Sequence, residues 1–203
     1  MTYLSGNERA LMVFGRFQPV TIGHNALFVE IWRMFYERPY RNDFIFISPT
    51  VDAKKNPLTL MERYNFLSKL YPYHNFIANP DIKNPFDAIC WLGEQGYSIV
   101  DVLAGPDRTE KYKTIGKYVQ HPDPLKCIPN VLELNIISFG TRDPDSDDPI
   151  QQASGSAARQ AVKDKDFIRF SDMLPRCPLE DQIQLYISIG RGLNGTATRT
   201  TTK

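Results

Sequence analysis

The densest chemistry in the chain lies in ten consecutive residues, Gly15-Arg16-Phe17-Gln18-Pro19-Val20-Thr21-Ile22-Gly23-His24. They follow an apolar run, Ala10–Gly15, and lead into Ile22–Arg38, where Leu27, Ile31, Met34 and Phe35 recur at helical spacing. A strand end, a tight turn and a helix start together make an anion site. Backbone amides and the positive end of the helix dipole then point at one spot. Gly15 permits the close approach of a phosphate, and Gly23 lets the helix begin tightly beneath it. His24 follows with its imidazole beside that spot. An ordinary βα turn with a surface histidine also carries a Gly-His pair, so the distinguishing feature is the whole string.

The elements that must position this turn are legible from the apolar patterning. Strands are predicted at Ala10–Gly15, Asp43–Ser48, Tyr73–Ala78, Ser98–Gly105 and Val131–Ser138. Helices are predicted at Ile22–Arg38, Thr59–Leu70, Phe86–Gln95, Pro106–Tyr118, Ser156–Lys163, Asp166–Leu174 and Leu179–Ile189. Thr59-x-x-Glu62 reads as a capping box, in which each side chain satisfies the other's exposed amide. Strands alternating with helices imply βαβ units and a parallel sheet covered on both faces. The fold expected is therefore an open α/β sheet whose ligand site lies at the carboxyl ends of its strands. Residues 1–175 form the core domain in this reading. Residues 176–203 are a C-terminal helix and a Thr-rich flexible tail.

Composition narrows the function classes. The chain has 203 residues, 24 Lys plus Arg against 23 Asp plus Glu, and a formal net charge of +1. A protein that binds nucleic acid by coating phosphates carries a broad basic excess, so none is expected here. No apolar run reaches the roughly 18 residues of a membrane span. Cys90, Cys127 and Cys177 are odd in number and form no CxxC pair, as in a reducing compartment. With no basic-then-apolar leader at the start, a cytoplasmic protein is expected.

GRFQPVTIGH resembles the GxFxPxHxGH signature of the nucleotidylyltransferase superfamily, with Thr21 at its first histidine. Three further strings agree, in the family's order. Lys54-Lys55-Asn56-Pro57-Leu58-Thr59-Leu60-Met61-Glu62-Arg63 is similar to the lysine-bearing loop and helix start after the second strand. Gly105-Pro106-Asp107-Arg108 resembles the GxDR turn after the fourth strand. Ala153-Ser154-Gly155-Ser156-Ala157-Ala158-Arg159 is similar to the ISxTxxR motif, with Ala153 in place of isoleucine. The likeness continues to Leu174-Pro175, so it covers residues 10–175 and is closest to nicotinamide-mononucleotide and phage-type adenylyltransferases.

The resemblance implies a Rossmann-like fold. It also implies transfer of a nucleoside monophosphate from a triphosphate to a phosphate-bearing acceptor. Such chemistry is mostly positioning and charge stabilisation. His24, Thr21, Lys55 and Arg159 are then the candidate catalytic residues, with His24 donating to the α-phosphate. Gly15, Arg16, Phe17, Gly23, His24, Lys54, Gly105, Asp107, Ser154, Ser156 and Arg159 are candidates for nucleotide binding. Lys54 and Lys55 both remain open as the mobile cation, with Lys55 preferred because it abuts the NPL turn. Mg²⁺ is the expected cofactor, held by substrate phosphates and water rather than by a protein cage. The expected partners are ATP, or CTP, and a small phosphate-bearing acceptor, in a homo-oligomer.

Nicotinamide mononucleotide is the favoured acceptor. Cytidylyl transfer and adenylyl transfer to phosphopantetheine are alternatives within the class; a non-catalytic nucleotide-binding protein that keeps the fold is the alternative outside it. Gly190-Arg191-Gly192-Leu193-Asn194-Gly195 fits GxGxxG literally. It is rejected as a dinucleotide fingerprint, because it follows a helix and no strand comes after it.

Overall fold

A computed structural model describes residues 8–37, 40, 42–140 and 153–195. The acidic loop expected at Gly140–Gln152 lies, beyond Gly140, outside the described residues, as does the tail beyond Gly195. Five parallel strands form one sheet in the order β3-β2-β1-β4-β5. They are β1 (Arg9–Gly15), β2 (Asn42–Ile47), β3 (Phe76–Ile77), β4 (Ile99–Ala104) and β5 (Glu133–Ser138). The connecting helices are α1 (Ile22–Glu37), α2 (Leu60–Leu70), α3 (Pro85–Glu94) and α4 (Pro106–Lys113). After β5 come α5 (Gly155–Lys163), α6 (Phe167–Asp172) and α7 (Leu179–Leu193). This is the Rossmann-like α/β architecture expected.

The strands alternate their buried residues between two faces. Ala10, Met12, Phe44, Phe46, Val100 and Val102 face α3, packing on Ala88, Ile89 and Leu92. Leu11, Val13, Ile45, Ile47 and Leu103 face the other way, onto Phe28, Ile31 and Met34 of α1 and Leu67 of α2. Both faces are apolar, which is why these strands read as continuous runs rather than alternating ones. A third cluster lies beside the sheet: Leu58 is enclosed with Ala158, Ala161, Phe170, Leu185 and Ile189 from α5, α6 and α7. Trp91 belongs to the core, edge-on to Phe44 and Phe46 at 5.9 and 5.7 Å.

The Thr59 capping box is formed as expected, with both reciprocal hydrogen bonds present. Most boundaries fall within two residues of the sequence reading, and three elements differ by more. β3 shrinks to Phe76–Ile77, because Tyr73 is exposed and His74 turns its ring onto Phe28 and Asp43. The helix expected over Pro106–Tyr118 stops at Lys113 and tightens into a 3-10 turn over Thr114–Tyr118. The last helix runs on to Leu193, through two glycines.

The sequence order of the strands reverses between β1 and β4. α1 and α2 build outward on one side through β2 and β3, and α3 crosses back to β4. Such a switch point opens a crevice at the carboxyl ends of the two strands.

Candidate functional site

A cavity of about 540 Å³ fills that crevice. Gly15, the last residue of β1, and Gly105, which follows β4, line it. The amino ends of three helices converge on it: α1 through Gly23 and His24, α4 through Gly105 and Pro106, and α5 through Ser154 and Gly155. Each contributes amides without intrahelical partners and a positive dipole end, so the cavity suits an anion before any side chain is counted.

Of the site residues nominated from sequence, all except Lys54 line this cavity. Lys55 lines it, and Lys54, in the same loop, does not. The loop is closed by Asp52, whose carboxylate accepts the amides of Lys54 and Lys55 at 2.9 and 2.7 Å and the side chain of Asn56. Those contacts, led by the Lys55 amide, hold the Asp52 carboxyl down to about 2. Lys55 therefore rides on an ordered turn, with its amine free to swing.

His24 is held in one tautomer. The Thr21 backbone N–H donates to His24 Nδ1 at 3.1 Å. An accepting nitrogen carries no proton, so the neutral ring bears its proton on Nε2. Burial, reinforced by the charge of Arg108, pushes the His24 pKa down to about 4. The ring is neutral at pH 7, with its Nε2–H left as a hydrogen-bond donor. The Thr21 hydroxyl donates to the Ala153 carbonyl at 3.1 Å, tying the turn after β1 to the segment entering α5. Thr21 and Ala153, each a departure from the quoted signatures, thus meet each other.

Phe17 adopts φ 47, in the left-handed region that a bulky residue enters only at a cost. Its ring compensates by burying itself against Phe28 and beside His24, centroids 6.0 and 5.2 Å away. A Cβ on Gly15 would lie 2.5 Å from that ring. Gly15 is therefore required by Phe17 as much as by any ligand. Ser154 caps α5 by accepting the Ala157 amide at 3.1 Å. Ser156 accepts from Arg159 at 3.0 Å, and Arg159 also donates to the Gln18 carbonyl. Burial and the neighbouring Arg16 charge press Arg159 below its ordinary pKa. Asp107 does not cap α4: Gly105 occupies that position without a side-chain bond.

Sequence reasoning did not nominate three residues that shape the site. Arg63 is 1% exposed. Its guanidinium donates to the carbonyls of Arg16 at 2.9 Å, Ser48 at 2.6 Å, Thr50 at 3.4 Å and Thr59 at 3.1 Å. It pins together the turns after β1 and β2 and the start of α2. Burial lowers it to about 10, so it stays charged at neutral pH. The available signal was an arginine at helical spacing between Leu60 and Leu67, on the inward stripe of a helix. Gln18, also buried, spans to Leu58 with a matched pair of bonds, accepting its amide at 2.9 Å and donating to its carbonyl at 2.8 Å. Arg108 lines the cavity on α4 near His24.

Arg16, Lys55, Arg108 and Arg159 thus face one carboxylate, Asp107, among the described lining residues. Among the described residues no group of three or more His, Cys, Asp or Glu side chains forms a metal cage. No described helix is long and apolar enough to cross a membrane.

No protein-family model matches the sequence, and no curated protein matches it. Solved structures do. The chain is similar to nicotinic acid mononucleotide adenylyltransferase of Plasmodium falciparum complexed with NaAD, at TM-score 0.59 and 13% identity, covering 90% of this chain and 98% of that one. The same enzyme complexed with APC gives TM-score 0.58 and 11% identity over the same shares. At these identities the likeness shows a shared fold over almost the whole of both chains.

Proposed function

We propose that this protein is a nucleotidylyltransferase that moves AMP from ATP to a phosphate-bearing acceptor and releases pyrophosphate. The observation that carries the reading is the convergence of three helix amino ends, four cations and a neutral Nε2–H imidazole on one cavity at the β1/β4 switch point. ATP is favoured over CTP, and a pyridine mononucleotide is favoured as the acceptor. The nicotinamide form is expected from the sequence resemblance, and the fold of an enzyme acting on the nicotinic acid form supports the same substrate class.

In this reading an acceptor phosphate oxygen attacks the α-phosphorus. The bond from the α-phosphorus to the bridging oxygen of the β-phosphate breaks, and pyrophosphate leaves with the electron pair. The acceptor phosphate is already anionic near pH 7, its second pKa being about 6, so no general base is needed. His24 Nε2–H donates to a phosphate oxygen as charge builds there. Lys55 brings a mobile cation to the same region. The α5 amino end, Ser156 and Arg159 receive the distal phosphates. Mg²⁺ would supply charge neutralisation on the nucleotide's phosphates, and Asp107, the carboxylate among the described lining residues, would hold it through water.

The test is a panel of four triphosphates against nicotinamide mononucleotide, nicotinic acid mononucleotide and phosphopantetheine, read as pyrophosphate release. ATP with a pyridine mononucleotide should turn over, and His24→Ala should abolish it while the fold survives. Release with CTP alone would replace adenylyl by cytidylyl transfer. Nucleotide binding without release from any pair would leave a binding protein.

A further inference from the structure

Helix α7 passes the base of the lysine loop at unusually short range. A Cβ added at Gly192 would lie 2.0 Å from the Pro57 carbonyl oxygen and 2.7 Å from its carbon. At Gly190, two residues earlier, it would meet only Val162 Cγ1 at 3.7 Å, an ordinary contact. Glycine inside a helix costs about 0.5–1 kcal/mol relative to alanine. Gly192 is therefore kept against local preference, by the space it leaves for Pro57.

Between these glycines, Arg191 donates to the Glu62 carboxylate. Glu62 at the same time accepts the Thr59 amide and hydroxyl, each at 2.8 Å. The Leu58 side chain is sunk among Leu185 and Ile189 of α7, and its backbone is gripped by Gln18. The segment Pro57–Glu62 is thus clamped between α7 and the turn that carries His24. Lys55 lies two residues before Pro57, inside the turn that Asp52 and Asn56 close. A displacement of Pro57 moves Lys55 relative to His24.

We infer that α7 is a buttress for the lysine loop, with Gly192 and Arg191 as positioning residues that set where Lys55 enters the cavity. This rests on the reading of Lys55 as a phosphate-binding cation, and the experiment separates the two. Steady-state turnover is measured for Gly192→Ala, Gly190→Ala, Lys55→Ala and the double variant Gly192→Ala/Lys55→Ala. Misplacement of a reacting group by about 1 Å costs up to about a hundredfold. Gly192→Ala should lower kcat by roughly tenfold or more with little change in acceptor KM. Gly190→Ala should change it by less than about twofold, and adding Gly192→Ala to Lys55→Ala should cost no more than that.

An equal loss in the Lys55→Ala background would overturn the inference, because the effect would then not pass through Lys55. A second readout needs no activity: native-state tryptic cleavage after Lys54 and Lys55. It should be about tenfold faster in Gly192→Ala and unchanged in Gly190→Ala, because the freed loop opens more often. Unchanged cleavage in both refutes the buttress even if the wild type turns over nothing. Faster cleavage in Gly192→Ala alone, in a protein without turnover, supports the buttress and refutes the enzymatic reading instead. If Gly192→Ala does not fold, Arg191→Gln takes its place, removing the Glu62 contact without adding an atom at Pro57.

Discussion

The two ends of the sheet treat charge in opposite ways. At the amino end, Asp101 is fully buried on β4. It receives Arg9 at 2.9 and 2.8 Å, the Tyr40 hydroxyl at 2.6 Å and Asn135 at 2.9 Å. Burial alone would raise its pKa, but Tyr40, Asn135 and Arg9 together hold it below the ordinary carboxylate range. At the carboxyl end, Arg16, Lys55, Arg108 and Arg159 gather around one cavity with Asp107 as the described carboxylate. There the charges press on one another: Arg108 on His24, and Arg16 on Arg159. A charge cluster whose members answer each other maintains a fold. One whose members repel gains nothing for the fold, and it is the arrangement that the proposed polyanionic substrate would relieve.

Substitutions should separate the two ends. The largest effect is expected at the amino end. Asp101→Ala leaves the partly buried Arg9 with only its longer contact to Glu133, at 3.7 Å, and should cost about 3–5 kcal/mol. Thermal denaturation should show a fall on the order of 10 °C, while the folded fraction keeps its turnover. A loss of turnover per folded molecule would mean that the two ends are not independent. His24→Ala should do the reverse. Removing one preorganised donor costs about 10²–10³ in kcat, with Tm little changed. Lys55→Ala comes next, with a loss of roughly tenfold to a hundredfold that Lys54→Ala does not share. A larger loss from Lys54→Ala would reassign the working cation.

The smallest effect is one of pH. His24 titrates near 4 in the folded protein and near 6.5 when unfolded. Between those values the unfolded chain binds more protons, so this group's contribution favours folding above about pH 6.5 and erodes as the pH falls toward 4. Urea titrations at pH 7 and pH 5 should show a stability difference that shrinks in His24→Asn. An identical difference in both proteins would remove His24 as its source.

How far the sequence disclosed this arrangement depends on the kind of interaction. β1 and β2 were legible because strands buried on both faces are apolar runs, and β4 because only Asp101 interrupts its run. Thr59–Glu62 was legible because a capping box is local. The residues that converge on the cavity were legible through four short strings, each starting or ending an element. Arg63 and Gln18 were not, because their partners are carbonyls and an amide up to 47 residues away, and no local spacing records such bonds. The end of α7 was misjudged for the same reason. Gly190 and Gly192 resemble helix breakers, and only the approach of Pro57, more than a hundred residues earlier, explains Gly192 within a helix.

The most direct test of the account is pyrophosphate release from Mg-ATP with a pyridine mononucleotide, by the wild type and by His24→Ala under conditions where both are folded. Release by the wild type, reduced at least a hundredfold or so in the variant, is the expected result. Equal release from both proteins, or none from the wild type with any triphosphate and acceptor, would contradict it.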